Sequence, residues 1–325
     1  MLMKTKAVYV VVTDGADAYF EQAWMSAWSL KHYNPMMEVD FVVDEATHTL
    51  ITTTYRRHII QVVDKIVSID VPSSLNKKER SRWLKTTLRQ HIEGDYLFLD
   101  TDTVVCGGLA SIEQLTCNFA AVLDGNDKRS ITCDKKRYDW LKWQAKIAQL
   151  HDDFSEEAYY NSGVLYVKDN IATHTLYEEW HRQWQQSNSL GVTFDQPVLY
   201  CAAKATQTPI SALPPQFNCQ IVDKGLPYLS DALVIHYYNS SPFYLIARHS
   251  VVQFLREKQV LPDEVKSLLL HARSAFADNT QIIAAEDAEF LQSNLHRLVK
   301  AFPKVFHLLD RLSYYLLRLK AKLWD

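Results

Sequence analysis

The sequence predicts an α/β protein, a mixed and mostly parallel Rossmann-like sheet followed by a C-terminal helical extension. Three observations carry this. Short β-branched runs alternate with helical patterns through roughly the first hundred residues, the order that a βαβ sheet requires. After residue 250 there is neither a glycine nor a strand-like run. A chain of 325 residues with 47% apolar content buries a substantial core, so one large domain with an appendage is expected over two equal halves. We place the boundary at 250: residues 1–250 are the sheet domain and 251–325 a basic, amphipathic helical extension.

The elements follow in order. Residues 7–13 are continuous and β-branched, as a strand buried on both faces is. Residues 19–32 carry Phe20, Ala23, Trp24, Ala27 and Trp28 at helical spacing and stop at Asn34-Pro35, a helix terminator. Residues 39–43 read as a second strand, 47–58 as a helix and 65–69 as a third strand. A helix at 81–91 ends before Gly94. The short apolar strand 96–99 runs directly into Asp100-Thr101-Asp102. Residues 162–167 and 233–237 are further strands, and the polar stretch 124–137 reads as loop and lid. Ligands of doubly wound sheets sit at strand carboxyl ends, where Thr13-Asp14 and Asp100 fall.

A net charge of -3 argues against a general nucleic-acid binder. The five cysteines are scattered without CxxC spacing, so buried free thiols in a reducing compartment are expected, not a disulfide framework or structural zinc. The apolar run 7–12 lacks a small-residue cleavage site, and nothing approaches the roughly 20 apolar residues of a membrane span. A cytoplasmic protein, soluble or peripheral on the inner face of a membrane, is expected.

Asp100 and Asp102 leave a strand end two residues apart. At about 4 Å and an effective dielectric of about 20, their repulsion is on the order of 4 kcal/mol. A divalent cation or a proton relieves it, and hard oxygen ligands suit magnesium or manganese, which also bridge phosphates. A solvated turn after an edge strand would look the same locally.

The apolar run before Asp100 and Asp102 resembles the DxD signature of GT-A glycosyltransferases. Tyr160-Asn161-Ser162-Gly163 resembles the asparagine–small–glycine strand motif of retaining glycosyltransferase family 8, Phe194-Asp195-Gln196-Pro197 its aspartate–glutamine pair, and Val234-Ile235-His236-Tyr237 its late histidine–aromatic motif. Order and spacing match over roughly residues 5–245. The resemblance implies a GT-A domain that transfers a hexose, with retention, from a nucleotide diphosphate sugar, UDP-hexose by default. The acceptor would be a glycan or lipid-linked glycan, as in polysaccharide or lipopolysaccharide biosynthesis. It implies Mn2+ or Mg2+ on Asp100, Asp102 and His236. Thr13, Asp14, Tyr19, Lys85, Thr101, Asp124 and Asn161 would bind the donor, and Asp195 and Gln196 would act at the transferred sugar. Tyr19 is equally a packing residue, and Lys85 and Asp124 equally solvated charges. The family's glycine and lysine–proline–tryptophan after the histidine are replaced by Asn239-Ser240-Ser241-Pro242-Phe243. Without that lysine, the diphosphate charge is expected to rest on the metal and on Lys85 or Arg82, which marks a divergent member.

Two other readings compete. Asp100 to Val104 fits the first motif of a haloacid-dehalogenase-type phosphatase, although Asp152-Asp153 is poor as its later acidic pair; a non-catalytic sugar-binding relative is the other. In the tail, Leu295, Leu298, Val299, Phe302, Phe306, Leu309, Leu312, Leu316, Leu319 and Leu323 recur at three- and four-residue steps among basic residues. That stripe suits either an anionic membrane surface, with Tyr314, Tyr315 and Trp324 at the interface, or packing on the body.

Overall fold

The computed structural model describes residues 3–128, 131–150, 154, 158–221, 223–237, 249–274 and 294–324. The first part alternates as expected: β1 (Lys6–Val11), α1 (Tyr19–Tyr33), β2 (Val39–Asp44), α2 (Glu45–Thr53), β3 (Lys65–Ile69), α3 (Lys77–His91) and β4 (Tyr96–Leu99). Then come β5 (Thr103–Val105), β6 (Phe119–Leu123), α4 (Lys135–Ile147), β7 (Tyr160–Val167), α5 (Ile171–Ser189) and α6 (Gln196–Ala205). The short strands β8 (Ser211–Ala212), β9 (Cys219–Gln220) and β10 (Val234–His236) precede α7 (His249–Lys258) and α8 (Asp263–Leu270).

The main sheet has seven strands in the order β3-β2-β1-β4-β7-β6-β8. β1 to β4 are mutually parallel, while β7 runs antiparallel to both β4 and β6. The sheet is therefore mixed and mostly parallel, as expected. Strand order reverses between β1 and β4, which opens a crevice at their carboxyl ends. A second, three-stranded sheet runs β5-β10-β9. β4 and β5 are separated by Asp100-Thr101-Asp102, so this tripeptide is the hinge between the sheets.

α3 starts earlier than expected because Asn76 and Glu79 form a reciprocal capping box. It packs inward through Leu84 and Leu88. The helix expected over 47–58 divides instead. The hydroxyls of Thr52, Thr53 and Thr54 bond back to carbonyls one turn earlier, and Thr54 then caps a 3-10 turn over Tyr55–Gln61. The described residues of 124–137 are not an open loop. Asp124, Gly125 and Asn126 form a buried turn in which Gly125 (φ 68°) and Asn126 (φ 52°) are left-handed, and α4 begins at Lys135 from the N-cap Asp134.

By packing, the chain divides into units Met1–Arg273 and Ser274–Asp325. In the first, α7 and α8 lie against α1. Among its described residues the second contains α9 (Asn294–Ala301) and α10 (Pro303–Trp324), with proline at the first helical position, where its missing N–H costs nothing. No helix among the described residues is long and apolar enough to cross a membrane.

Candidate active site

Each aspartate of the hinge is held by a different sheet. The Asp100 amide donates to the Gly163 carbonyl on β7 at 2.8 Å, and the Asp102 carbonyl accepts the Tyr237 amide just past β10 at 2.9 Å. β10 pairs antiparallel with β5, placing His236 opposite Thr103. His236 Nε2 consequently lies 3.2 Å from Asp102 Oδ1 and 3.9 Å from Asp100 Oδ2. One ligand atom from each of the three side chains falls within 4.8 Å of the others. Gly163 makes this possible: a Cβ there would stand 2.2 Å from His236 Cε1 and 2.8 Å from Asp100 Oδ2. Two hard carboxylate donors and an imidazole fit a divalent cation such as Mn2+ or Mg2+. The pair is also electrostatically tense. Desolvation and the neighbouring Asp102 charge push the Asp100 carboxyl up, whereas for Asp102 burial is offset by His236, a backbone hydrogen bond and Lys85 together, which hold the carboxyl down.

A chain of amides fixes the imidazole. His236 Nδ1–H donates to Asn218 Oδ1 at 2.9 Å, and Asn218 Nδ2 donates to Asn161 Oδ1 at 2.9 Å. Asn161 Nδ2 then reaches Asp124 Oδ1 (3.2 Å) and Gln196 Oε1 (3.4 Å). With Nδ1 committed as donor, Nε2 is the nitrogen turned to the carboxylates and able to bind a metal. Asn218 is fully buried and was not singled out from sequence; an isolated asparagine before a short strand carries no local signal.

A second, charged cluster adjoins the first. Asp195 Oδ1 meets Arg82 Nε at 2.8 Å, and its Oδ2 meets Lys85 Nζ at 3.1 Å and accepts the Ser162 hydroxyl at 3.0 Å. Lys85 also lies 3.4 Å from Asp100 Oδ1. Burial opposes the charge on Asp195, yet the two cations and the hydroxyl hold its carboxyl well below the usual range. Arg82 and Lys85, expected on a diphosphate, thus already share an ion pair with Asp195. Asp124 is raised by burial, against which the Arg137 guanidinium at 3.0 Å works. Arg137, on α4, also escaped the sequence reading.

These residues surround one cavity of about 710 Å³. Tyr19, Lys85, Asp100, Thr101, Asp102, Asp124, Asn161, Asp195, Gln196 and His236 all line it. Thr13 and Asp14 are not among its lining residues. Thr13 is buried, donating its hydroxyl to Asp17 Oδ1 at 2.8 Å, and Asp14 pairs with Lys77 at 2.7 Å; Val10, Val12, Tyr19 and Lys77 form the wall here. Asn239 to Phe243 lie outside the described residues.

No family model and no curated protein matches the chain by sequence. Solved structures do. The galactosyltransferase LgtC, in complex with donor and acceptor sugar analogs, superposes with a TM-score of 0.51 at 15% identity, over 81% of this chain and 99% of that one. Mouse xyloside xylosyltransferase 1 gives 0.48 at 12% identity, over 74% and 99%, and GlyE of Streptococcus pneumoniae TIGR4 gives 0.49 at 16%, over 87% and 66%. The chain has the GT-A fold. The phosphatase alternative finds no support, and its Asp152-Asp153 lies outside the described residues.

Proposed function

We propose that this chain is a metal-dependent glycosyltransferase, a divergent relative of retaining family 8, moving a hexose from a UDP-sugar to a glycan or lipid-linked acceptor. The observation that carries the reading is the convergence of Asp100, Asp102 and His236 in the same cavity as Asp124, Asn161 and Gln196. The first group suits a cation-bound diphosphate, and the second suits the hydroxyls of a sugar, which carboxylates and amides bind with charge-assisted strength.

A divalent ion bound by Asp100, Asp102 and His236 would supply Lewis-acid stabilisation of the departing diphosphate. The residues do the rest. Asp124 and Asn161 orient the transferred ring. Gln196 faces the anomeric centre, whose charge develops as in glycoside hydrolysis. Asp195, ionised and shared between two cations, acts on that charge electrostatically; a carboxylate so neutralised is a poor nucleophile. Tyr19 stacks on the base, with Thr13 and Asp14 shaping the loop behind it. The basic α9–α10 segment would bring the domain to an inner membrane face where lipid-linked acceptors lie.

The test is a panel of nucleotide sugars with and without manganese. A true donor raises the melting temperature by mass action, about 2.7 kcal/mol at a hundredfold excess over Kd, and is slowly hydrolysed. Asp102→Asn is expected to fold normally and to lose at least about 100-fold of this metal-dependent turnover. Undiminished turnover in that variant would refute the site. Donor binding without any hydrolysis would instead mark a non-catalytic sugar-binding protein.

A further inference from the structure

The cavity has two aromatic ends, and the nucleotide accounts for one. The first residues of α3 stand between them. At the β1 end, Lys77 bridges Asp14 and Asp17 and its ammonium lies 5.8 Å from the Tyr19 ring centroid. At the other end, Lys78 Nζ lies 4.5 Å from the centroid of Phe194, and Trp140 meets the Phe194 ring edge-on at 5.0 Å and 82°. Both rings line the cavity and each remains 39% exposed.

Neither ring is a stray surface residue. Phe194 immediately precedes Asp195 and Gln196. Trp140 sits one helical turn beyond Arg137, which anchors α4 to Asp124 at 3.0 Å. The same contacts that organise the sugar-facing residues therefore fix the two rings beside them. Large apolar surface left open at the mouth of a polar cavity marks a binding groove. The ligand it suits is a pyranose, since one face of the ring is a patch of C–H bonds with slight positive charge, matched to the negative face of an aromatic ring.

We infer that Trp140 and Phe194 form the acceptor subsite, an angled platform of two nearly perpendicular rings against which the pyranose ring of the acceptor glycan rests. The inference rests on the transferase reading and extends it, since it names what the second end of the cavity takes. Lys78, whose ammonium covers part of the Phe194 face, is a donor within reach of the hydroxyls of a sugar held there.

Saturation-transfer NMR on the full-length protein tests this, with methyl α- and β-pyranosides of glucose, galactose, mannose and N-acetylglucosamine in the presence of UDP and magnesium. At least one glycoside is expected to receive saturation, strongest at the protons of one ring face. Trp140→Ala and Phe194→Leu should each weaken its binding by on the order of tenfold, and Trp140→Phe should restore most of it. Melting curves show whether each variant is folded, and Phe194→Leu carries the test if Trp140→Ala does not fold. Equal binding by native protein and both variants, or no glycoside bound by native protein, overturns the platform. Hydrolysis of UDP-hexoses by the same native sample reports separately on the transferase reading.

Discussion

Two networks hold the cavity together, and they are made of opposite chemistry. One is ionic: Arg82 and Lys85 on α3, with Asp195 and Asp100. The other is a chain of directed side-chain hydrogen bonds, from His236 through Asn218 to Asn161 and Gln196. An ion pair has no direction; it tolerates small shifts but leaves a buried charge behind if one partner goes. An amide has a donor end and an acceptor end, so a chain of amides transmits one orientation, here the imidazole tautomer. The ionic network therefore sustains stability and charge, whereas the hydrogen-bonded chain sustains the geometry of the candidate metal site.

Breaking the ionic side should cost most. Asp195→Asn leaves Lys85 and Arg82 without their shared counter-charge and is expected to lower unfolding free energy by about 3–5 kcal/mol, read as a shift in urea midpoint at constant slope. A loss below about 1 kcal/mol would mean that this pair is not structural. Gly163→Ala attacks where the networks meet, because its methyl group must displace His236 or Asp100. Manganese affinity, followed by the electron paramagnetic resonance of the free ion, should fall on the order of 100-fold. Asn218→Ala removes the hydrogen bond that orients His236 together with the one to Asn161, and about a tenfold loss of manganese affinity is expected. If both variants bind manganese like the native protein, the amide chain has no part in the metal site.

A pH-dependent effect outside both networks supplies the background. His181 belongs to neither network; it accepts or donates to Thr86 at 2.8 Å and stacks on Trp184. Burial, aided by His91, lowers it from 6.5 to about 4. The unfolded chain therefore binds a proton that the folded chain refuses between those values, and stability should fall as pH drops from about 6.5 to about 4. Asp195 is lowered in the opposite sense of charge: its contribution is present above the unfolded carboxylate value, about 3.9, and is lost only as pH falls through the folded one. The two effects thus occupy different windows. His181→Gln should flatten the first, measured by urea titrations at pH 4.5 and 7; an unchanged difference between the two pH values would count against it.

Much of this was legible locally. β1 to β4 and α1 follow from periodicity, whereas the helix expected over 47–58 divides; the paired aspartates stand in the sequence itself. The stripe of α5 is legible too: Leu176, Tyr177, Trp180 and Trp184 recur at helical spacing and are all buried, behind an Asn170 cap. Thr13 and Asp14 follow β1, yet the cavity wall there is made by Tyr19 at the start of α1 and Lys77 at the start of α3. Asn218, Arg137 and Trp140 had no local signal, since each matters only through a partner far along the chain.

By itself the sequence determined the alternation of strands and helices, the DxD turn and the residue types available for a metal and a sugar. These depend on hydrogen bonds and side-chain spacing within a turn or a strand. Only the tertiary structure decided which carboxylate Arg82 and Lys85 neutralise, which nitrogen of His236 turns to the aspartates, and why residue 163 has no side chain. Those outcomes depend on the registers of β4 against β7 and of β5 against β10, and a register is a property of two strands together.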